Sequence, residues 1–469
     1  MRTLEIILLV MLVFLLGQVW LRPKFTPRWL TAVLPSAALL TLLLHWLLES
    51  PRWQMVPTYA LLSGLALYVL VFFFRPQLKR PHPAWGILLM PLSLVAVGLP
   101  VVMPVPAPPT PTGLLPVGTA WYDWTDESRP EIYTADPDDK REIMVQFWYP
   151  TTAVAAATAP KAPFVPNLDV VAPALAQRFN FPSFALDHLS LLQTNSHQNV
   201  PVNPAAERYP VIIFSPGYNS MRQQSTSLME DLASHGYIVI ALDHTYVGAL
   251  TVFPDGRVVF LNPDILKDRA VYGDEAHFAS AQGIGEVWQA DIDYVLQRLE
   301  AGEIDERFQG KLDLARVGLL GHSTGSGVAS RFCATDERCA AGVGMDAWLG
   351  PVPDNLLEAG TDKPFLFLMS EYWSTAENKT RLARYAQNSP QAEWLTIADT
   401  AHYDFSDLPL LTPLSNQIGL SGGIDSYRAQ EIIRLYVRTF FDVALKGEGD
   451  ASLFTNPSLV YPEVRGNQP

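Results

Sequence analysis

Positive charge is scarce in this sequence, and so is charge of either sign. The 469 residues include 33 Lys and Arg against 47 Asp and Glu, a formal charge of −14, and charged residues make up only 17% of the chain. An acidic chain lacks the basic surface that attracts a polyanion, so nucleic acid is not an expected partner. With 49% hydrophobic residues, the composition also excludes a largely disordered chain.

Cysteine is scarcer still, with only Cys333 and Cys339. Neither sits in a sharp strand-to-helix turn or near a placed histidine, which argues against a cysteine nucleophile. A disulfide between them stays open, because it depends on an oxidising compartment and on geometry. The acidic run Asp136–Asp139 lacks the glycine and ligand spacing of a calcium-binding loop. We therefore predict a solvated turn there, no metal site and no cofactor.

Long apolar runs are confined to the N-terminal part of the chain. Each has about 17–20 residues, close to the length that crosses a hydrocarbon core. They are Leu4–Leu21, Trp29–Leu48, Thr58–Phe74 and Ala84–Met103. We expect a membrane anchor of about four spans over residues 1–103, although a cleaved signal sequence remains an alternative for the first run.

The charge distribution predicts how these spans are oriented. The first 106 residues carry a net charge of +6 and the remaining 363 carry −20. Basic residues cluster in the first and third connections, as Arg22, Lys24 and Arg28, and as Arg75, Lys79 and Arg80. By the positive-inside rule these connections are cytoplasmic. The protein is therefore expected in the cell membrane, with everything after the fourth span on the extracytoplasmic side.

A proline-rich linker over residues 104–116 has six prolines and one glycine, which favours an extended spacer. Beyond it, over residues 117–469, short apolar strands alternate with helical patterns. The strands are Ile143–Tyr149, Pro210–Phe214, Tyr237–Leu242, Val317–Leu320, Ala341–Met345 and Phe365–Met369. The helices are Ser227–Ser234, Gly285–Leu299, Ala376–Gln387 and Ser426–Leu445. This alternation indicates an α/β fold, with a mostly parallel sheet and helices on both faces.

The stretch 163–203 has little periodic order and several apolar residues. A lid, a membrane-contacting flap and an ordinary insertion are all compatible with it.

A candidate nucleophile follows the strand Val317–Leu320. There Gly321-His322-Ser323-Thr324-Gly325 precedes a helix start rich in small residues. This G-x-S-x-G pattern, between a strand and a helix, is typical of a sharp turn that lifts a serine hydroxyl above a sheet. We predict that Ser323 is the nucleophile and that His322 points away from its side.

A serine nucleophile needs a base and an acid, which follow it in the order Ser, acid, His in such folds. Asp346 follows the next predicted strand and His402 follows a later one, Trp394–Ile397. We predict that His402 is the general base and that Asp346 orients it. For Asp243-His244, at the end of an earlier strand, we favour capping or packing over a place at the site's rim.

Two backbone N–H groups are expected to stabilise the oxyanion. One belongs to Thr324, directly after the nucleophile. The other belongs to Tyr218 in the loop Ser215-Pro216-Gly217-Tyr218, which follows an early strand. An ordinary Pro-Gly turn is the alternative for this loop.

The segments FSPGYNS, GHSTG, MDAW and AHYDF, with their spacing, resemble the plasma (type II) platelet-activating factor acetylhydrolases and their bacterial relatives in the α/β-hydrolase superfamily. The resemblance covers about residues 113–445. It implies Ser323, Asp346 and His402 as a triad, Tyr218 and Thr324 as oxyanion donors, and calcium-independent release of a short sn-2 acyl group from phospholipids. Two residues depart from the family pattern: Pro216 stands where histidine is frequent, and Thr324 where a bulky aromatic residue is common.

We therefore expect a membrane-anchored serine ester hydrolase acting on short acyl esters of lipid-like substrates, with the lipid bilayer as its surroundings. A carboxylesterase or lactone hydrolase acting on small or polymeric esters is the alternative. A binding module that has lost catalysis is a third hypothesis, which the full set of catalytic residue types disfavours.

Overall fold

The computed structural model describes residues 2–21, 29–78, 85–178 and 181–466. The chain divides into two compact units. The helical unit comprises Met1–Ala107, Ala176–Leu192 and Leu411–Leu414, and the sheet unit comprises Pro108–Leu175, Gln193–Leu410 and Ser415–Pro469.

The helical unit is built from four apolar helices that coincide with the four apolar runs of the sequence. They are α1 (Thr3–Leu21), α2 (Leu30–Leu48), α3 (Val56–Phe74) and α4 (Trp85–Val102). Two helical stretches, Thr31–Leu48 and Trp53–Phe74, are long and apolar enough to cross a membrane. Thr3–Val19 and Leu89–Val102 are shorter apolar stretches, so two spans rather than four meet the length criterion among the described residues.

Some residues used to predict the orientation of the spans are outside the described residues. They are Arg22, Lys24, Arg28, Lys79 and Arg80.

A buried ion pair ties α1 to the connection that precedes α3. The Arg52 Nε donates to Glu5 Oε1 over 2.6 Å, and Arg2 donates to the same oxygen over 2.7 Å. Glu5 is fully buried and Arg52 is nearly so. Charges removed from water are stable only when paired in this way.

Two later stretches of the chain pack on the same helical unit. The Trp53 indole N–H donates to Ala185 O, and its ring lies 5.2 Å from that of Phe184. The Thr412 hydroxyl donates to Val102 O over 2.7 Å. The helical unit thus includes residues that lie far beyond α4 in the sequence.

The sheet unit contains an eleven-stranded sheet in the order β13-β12-β11-β10-β9-β5-β6-β2-β1-β4-β3, beside a β7–β8 hairpin. The strands are β1 (Val117–Pro130), β2 (Lys140–Pro150), β3 (Lys161–Pro163), β4 (Gln193–Gln198), β5 (Tyr209–Ser215), β6 (Ile238–Asp243), β7 (Leu250–Val252), β8 (Val258–Phe260), β9 (Leu312–His322), β10 (Cys339–Met345), β11 (Phe365–Ser370), β12 (Ala392–Ile397) and β13 (Val464–Gly466). The six strands from β6 to β12 in this order are parallel. Strand β2 pairs with β6, and β13 with β12, in antiparallel fashion.

The remaining α-helices connect these strands. They are α5 (Ala153–Thr158), α6 (Leu168–Arg178), α7 (Thr226–Ser234), α8 (Arg269–Ala301), α9 (Thr324–Thr335), α10 (Asp354–Ala359), α11 (Ala376–Gln387), α12 (Ser426–Phe441) and α13 (Ser452–Thr455).

Alternate side chains of the central strands pack in two separate hydrophobic cores, one on each face of the sheet. In β5, Val211 and Ile213 belong to the core that includes residues of α8, α9 and α11, whereas Ile212 and Phe214 belong to the core that includes residues of α7 and α12. Successive side chains of a strand point to opposite faces, so continuous apolar runs become fully buried when helices cover both faces. The predicted α/β architecture is confirmed.

The stretch 163–203 contributes more regular structure than its sequence indicates. It contains α6 and β4, and β4 pairs in parallel with β1 at Gly118–His197 and Thr119–Gln198. This short, polar strand carries no apolar alternation of its own, which is why the sequence pattern did not predict it.

Candidate active site

Ser323 occupies the sharp turn between β9 and α9. Its backbone has φ 54° and ψ −118°, a left-handed conformation that costs a non-glycine residue about 1–3 kcal/mol. Its N–H donates to Met345 O over 3.0 Å. A Cβ at Gly321 would lie 2.2 Å from Gly325 O, and one at Gly325 would lie 2.1 Å from Ser215 O. Both glycines of the pattern are therefore required by close backbone contacts.

Asp346 and His402 meet at the carboxyl end of the sheet. His402 Nδ1 lies 2.6 Å from Asp346 Oδ2, while Asp346 Oδ1 accepts the N–H of Ser370 over 2.8 Å. Asp346 is fully buried and follows β10 with φ 41°, and its N–H donates to Leu368 O. Because a carboxylate only accepts, His402 Nδ1 carries the proton and Nε2 is left as the basic nitrogen.

Ser323 and His402 line the same cavity. Within the part of the chain that the structure describes, no hydrogen bond joins the Ser323 hydroxyl to the His402 ring. Such contacts are often long in a free enzyme and shorten when substrate binds.

Trp373 supports the His402 ring from one side. The two rings are stacked, with centroids 3.8 Å apart and planes 15° from parallel. Sequence reasoning missed this residue. It lies three positions after the end of β11. Functional side chains of a parallel sheet gather at such carboxyl ends, so this position was the signal that could have found it.

The prediction that His322 points away from the nucleophile's side is wrong. Its ring centroid lies 4.5 Å from that of His402, and its Nε2 is 3.1 Å from His402 O. Burial, followed by the nearby charge of His402, lowers the pKa of His322 well below its ordinary value. The neutral ring therefore donates from Nε2 to the His402 carbonyl, which anchors the backbone that carries the predicted base.

The predicted oxyanion donors belong to residues that line this cavity. Thr324 begins the twelve-residue helix α9, whose N-terminus carries a partial positive charge. Tyr218 lies in the loop after β5. The preceding Gly217 runs beside the nucleophile, since a Cβ there would lie 3.4 Å from Ser323 Cβ. Its N–H donates to Gln224 Oε1 over 3.0 Å.

The cavity has a volume of about 410 Å³, and its wall combines aromatic with polar and charged side chains. Trp348, Trp373 and Phe278 line it together with Tyr403, and sequence reasoning did not single out any of these four.

Two arginines, Arg269 and Arg381, also line the cavity. The Arg269 guanidinium is held by Asp274 and Glu377. The Arg381 guanidinium donates to Asp354 and to backbone carbonyls. Carboxylate partners thus offset the positive charges at this wall.

Asp243 and His244 are buried and do not line the cavity, in agreement with the packing interpretation. The Arg222 N–H donates to Asp243 Oδ1 over 2.6 Å. His244 lies between Ser215 and Asp291, with its ring stacked on Trp288.

Cys333 and Cys339 are joined by a disulfide between α9 and β10, with their Cα atoms 5.1 Å apart. Among the described residues, no group of three or more His, Cys, Asp or Glu is arranged to hold a metal ion. The run Asp136–Asp139 forms a turn in which the Asp138 N–H donates to Asp136 Oδ1.

The sheet order, with the G-x-S-x-G turn between β9 and α9, defines an α/β-hydrolase fold. The chain matches the family described as platelet-activating factor acetylhydrolase, isoform II, over residues 109–255 and 295–450. These ranges cover more than half of the sequence, so the chain belongs to this family, and the predicted resemblance is confirmed.

Relatives agree with this assignment. The chain is 30% identical over 240 residues to the platelet-activating factor acetylhydrolase of Bos taurus, which covers 47% of this chain and 53% of the relative. It is 30% identical over 276 residues to a probable 1-alkyl-2-acetylglycerophosphocholine esterase of Arthroderma benhamiae, which covers 54% of this chain and 65% of the relative. The chain thus spans between about half and two thirds of the length of these relatives.

Among solved structures, a ferulic acid esterase from Streptomyces cinnamoneus is similar, with a TM-score of 0.63 and 26% identity. The similarity covers 77% of this chain and 99% of that one.

Proposed function

We propose that this protein is a membrane-anchored serine ester hydrolase in which Ser323 is the nucleophile, His402 the general base and Asp346 the residue that orients it. The observation that carries the proposal is the 2.6 Å hydrogen bond between Asp346 and His402, at a cavity that Ser323 also lines from a strand-to-helix turn. Three residue types in the required chain order converge there, which a structural role for each alone does not explain.

The proposed reaction proceeds through an acyl-enzyme. Ser323 Oγ attacks the ester carbonyl carbon while His402 Nε2 takes the hydroxyl proton, and the N–H groups of Tyr218 and Thr324 stabilise the oxyanion. His402 returns the proton to the departing alcohol. Water, deprotonated by His402, then attacks the acyl carbon, and the acid leaves as Ser323 recovers its proton.

The proposed substrates are lipid-like esters with a short acyl group. Relatives named for platelet-activating factor or 1-alkyl-2-acetylglycerophosphocholine support this choice, as does an anchor that would hold the domain beside a bilayer.

We assign residues 1–103 to the anchor, residues 104–116 to the linker and residues 117–469 to the hydrolase domain. The two apolar stretches that are long enough to span a bilayer support membrane attachment, and the four-helix arrangement supports about four spans. The proposed side of the hydrolase domain is extracytoplasmic.

A reporter enzyme that is active only outside the cytoplasm tests this topology. We expect activity when it is fused after Ala107 and none when it is fused after Gln77, in the connection between α3 and α4. The reverse pattern would overturn the proposed orientation, and equal activity at both positions would overturn the multi-span anchor.

The catalytic test uses the full chain in mixed micelles and a phospholipid series of increasing sn-2 acyl length. We expect turnover that falls steeply as the acyl chain lengthens. Ser323→Ala should abolish turnover, and Asp346→Asn should lower kcat by about 10⁴-fold, because the histidine then adopts the wrong tautomer.

A second candidate function is a carboxylesterase acting on aromatic esters. The aromatic side chains of the cavity wall and the similarity to a ferulic acid esterase favour it. Methyl esters of hydroxycinnamic acids and a simple acetate ester therefore belong in the same assay. Ser323-dependent turnover of these esters alone would retain the triad and reject the lipid assignment.

A fluorophosphonate probe addresses the non-catalytic alternative. We expect covalent labelling of the native chain and none of Ser323→Ala. Absence of both labelling and turnover would favour a membrane-bound binding module.

A further inference from the structure

A second Ser–His–Asp array lies outside the proposed triad. Ser215 Oγ is 2.9 Å from His244 Nε2, and His244 Nδ1 is 2.8 Å from Asp291 Oδ2. Their exposed fractions are 1%, 1% and 0%. No substrate reaches a hydroxyl so deeply buried, so Ser215 is not a second nucleophile.

Electrostatics fix the protonation states of this array. Burial lowers the pKa of His244, and the hydrogen bond to Asp291 only partly opposes this, so the ring is neutral. Burial would raise the pKa of Asp291, but the charge of Arg141 and the hydrogen bonds of His244 and Arg141 hold it well below its ordinary value. The carboxylate therefore accepts from His244 Nδ1, and His244 Nε2 accepts the hydroxyl proton of Ser215.

The array is held rigidly at Asp291 and at the His244 ring, the side away from Ser215. Arg141 makes a bidentate contact with Asp291, 3.0 Å from Nε to Oδ1 and 2.7 Å from Nη2 to Oδ2. The indole of Trp288, which is fully buried, lies 4.0 Å from the His244 ring and 7° from parallel with it. A paired carboxylate and a stacked ring leave the imidazole a single orientation.

The near side of the array is the loop that holds a proposed oxyanion donor. Ser215 ends β5, and Tyr218 follows it by three positions. The Ser215 carbonyl lies so close to Gly325, in the first turn of α9, that no side chain fits between them. The start of this loop is thus held at two points of Ser215. His244 bonds to the Ser215 side chain, and the nucleophile's helix contacts the Ser215 backbone.

We propose that His244 is a positioning residue, which fixes the Tyr218 N–H at the oxyanion through Ser215. This inference rests on the proposed function and extends it to a residue that does not touch substrate. A donor displaced from the oxyanion stabilises the transition state less while ground-state binding is retained. Loss of the array should therefore lower kcat and leave KM almost unchanged.

The test compares Ser215→Ala, Ser215→Thr and His244→Phe in the full chain. Removing an oxyanion donor outright costs about 10²–10³-fold in kcat, so we expect a drop of about 10–100-fold for Ser215→Ala and His244→Phe, with KM within about twofold. Ser215→Thr keeps the hydroxyl and should restore most of kcat. Tyr209→Phe, which removes a buried hydrogen bond to Asn203 at the other end of β5, is the matched control and should keep kcat.

A trifluoromethyl ketone, which becomes an oxyanion on the enzyme, distinguishes a positioning role from a purely structural one, because its inhibition constant depends on the oxyanion donors. Its inhibition constant should rise in parallel with the loss of kcat/KM across the variants, whereas the inhibition constant of the product acid should not change. If kcat of the folded variants is unchanged, or if both inhibition constants rise together, the positioning role is overturned.

The controls separate this proposal from the proposed function. Without Ser323-dependent turnover by the native chain, both proposals fall. With such turnover, unaltered kinetics in Ser215→Ala overturn only the role of His244. Ser215→Ala removes a single oxygen atom, so it decides the matter even if His244→Phe does not fold.

Discussion

The Trp373 indole lies flat against the His402 imidazole, with ring centroids 3.8 Å apart and planes 15° from parallel. A second constraint on His402 comes from Asp346, whose Oδ2 lies 2.6 Å from the His402 Nδ1. One contact sets the plane of the proposed base and the other sets its rotation in that plane.

Trp373→Ala should therefore lower kcat, because His402 loses its stacking partner. Aromatic contacts of this kind are worth about 0.5–1.5 kcal/mol, so the expected loss is up to about 10-fold. Trp373→Phe keeps a ring against His402 and should retain most of the activity. Steady-state kinetics on a short acyl ester check this, and equal rates for Trp373→Ala and the native chain would contradict it.

Gly325→Ala should lower kcat by about 100-fold and lower the melting temperature. The added Cβ would lie 2.1 Å from Ser215 O, so the loop after β5 or the start of α9 must move. A displacement of about 1 Å at a reacting group costs about 100-fold in rate.

Gly283→Ala, in α8, is the matched control for this substitution. A Cβ there meets no atom within 4 Å, and alanine favours the helix by about 1 kcal/mol. Full activity of Gly325→Ala would show that the contact between α9 and Ser215 is not required.

Asp407 should make stability depend on pH. Burial raises its pKa to about 7, although its Oδ2 accepts the N–H of Ser227. Between its ordinary pKa and this value, the folded protein keeps a proton that the unfolded chain releases. The contribution of Asp407 to the free energy of unfolding is thus fully present at low pH and is lost as the pH rises through about 7.

Asp407→Asn cannot titrate, so its melting temperature relative to the native chain should rise between pH 5 and pH 8, two values that bracket most of this loss. Asp362→Asn, at an exposed carboxylate, serves as the control and should show no such trend. A difference that is independent of pH would mean that Asp407 is ionised throughout.

The link between Cys333 and Cys339 should contribute to stability, because it restricts the unfolded chain. The loop is short, so the expected loss in the Cys333→Ala/Cys339→Ala protein is about 2 kcal/mol. A reductant should lower the melting temperature of the native chain and leave that of the double variant unchanged. Insensitivity of the native chain to reductant would argue that the thiols are free.

The sequence predicted the parts of the candidate site that depend on chain order. Ser323, Asp346 and His402 each follow a parallel apolar strand, and the carboxyl ends of such strands meet at one edge of the sheet. Their convergence therefore needs only the strands, which the apolar runs specify. The strands themselves could be predicted because helices cover both faces of the sheet, so each central strand appears in the sequence as a continuous apolar run.

Contacts that depend on side-chain rotation were not predictable in this way. His322 was expected to point away from the nucleophile, yet its ring turns toward His402, because its Nε2 finds the His402 carbonyl. The stacking of Trp373 likewise follows from the path of the chain after β11. Asp291 reaches His244 from α8, a helix whose rotation about its axis is set by packing rather than by local sequence.

The stretches Ala176–Leu192 and Leu411–Leu414, which complete the helical unit, have a consequence for biosynthesis. The ribosome releases the chain from its N-terminus, so α1 to α4 emerge long before Thr412, whose hydroxyl contacts Val102 O. The helices therefore lack the contacts that these two later stretches provide until most of the chain has been translated. Folding of this protein is thus predicted to finish after synthesis rather than in step with it.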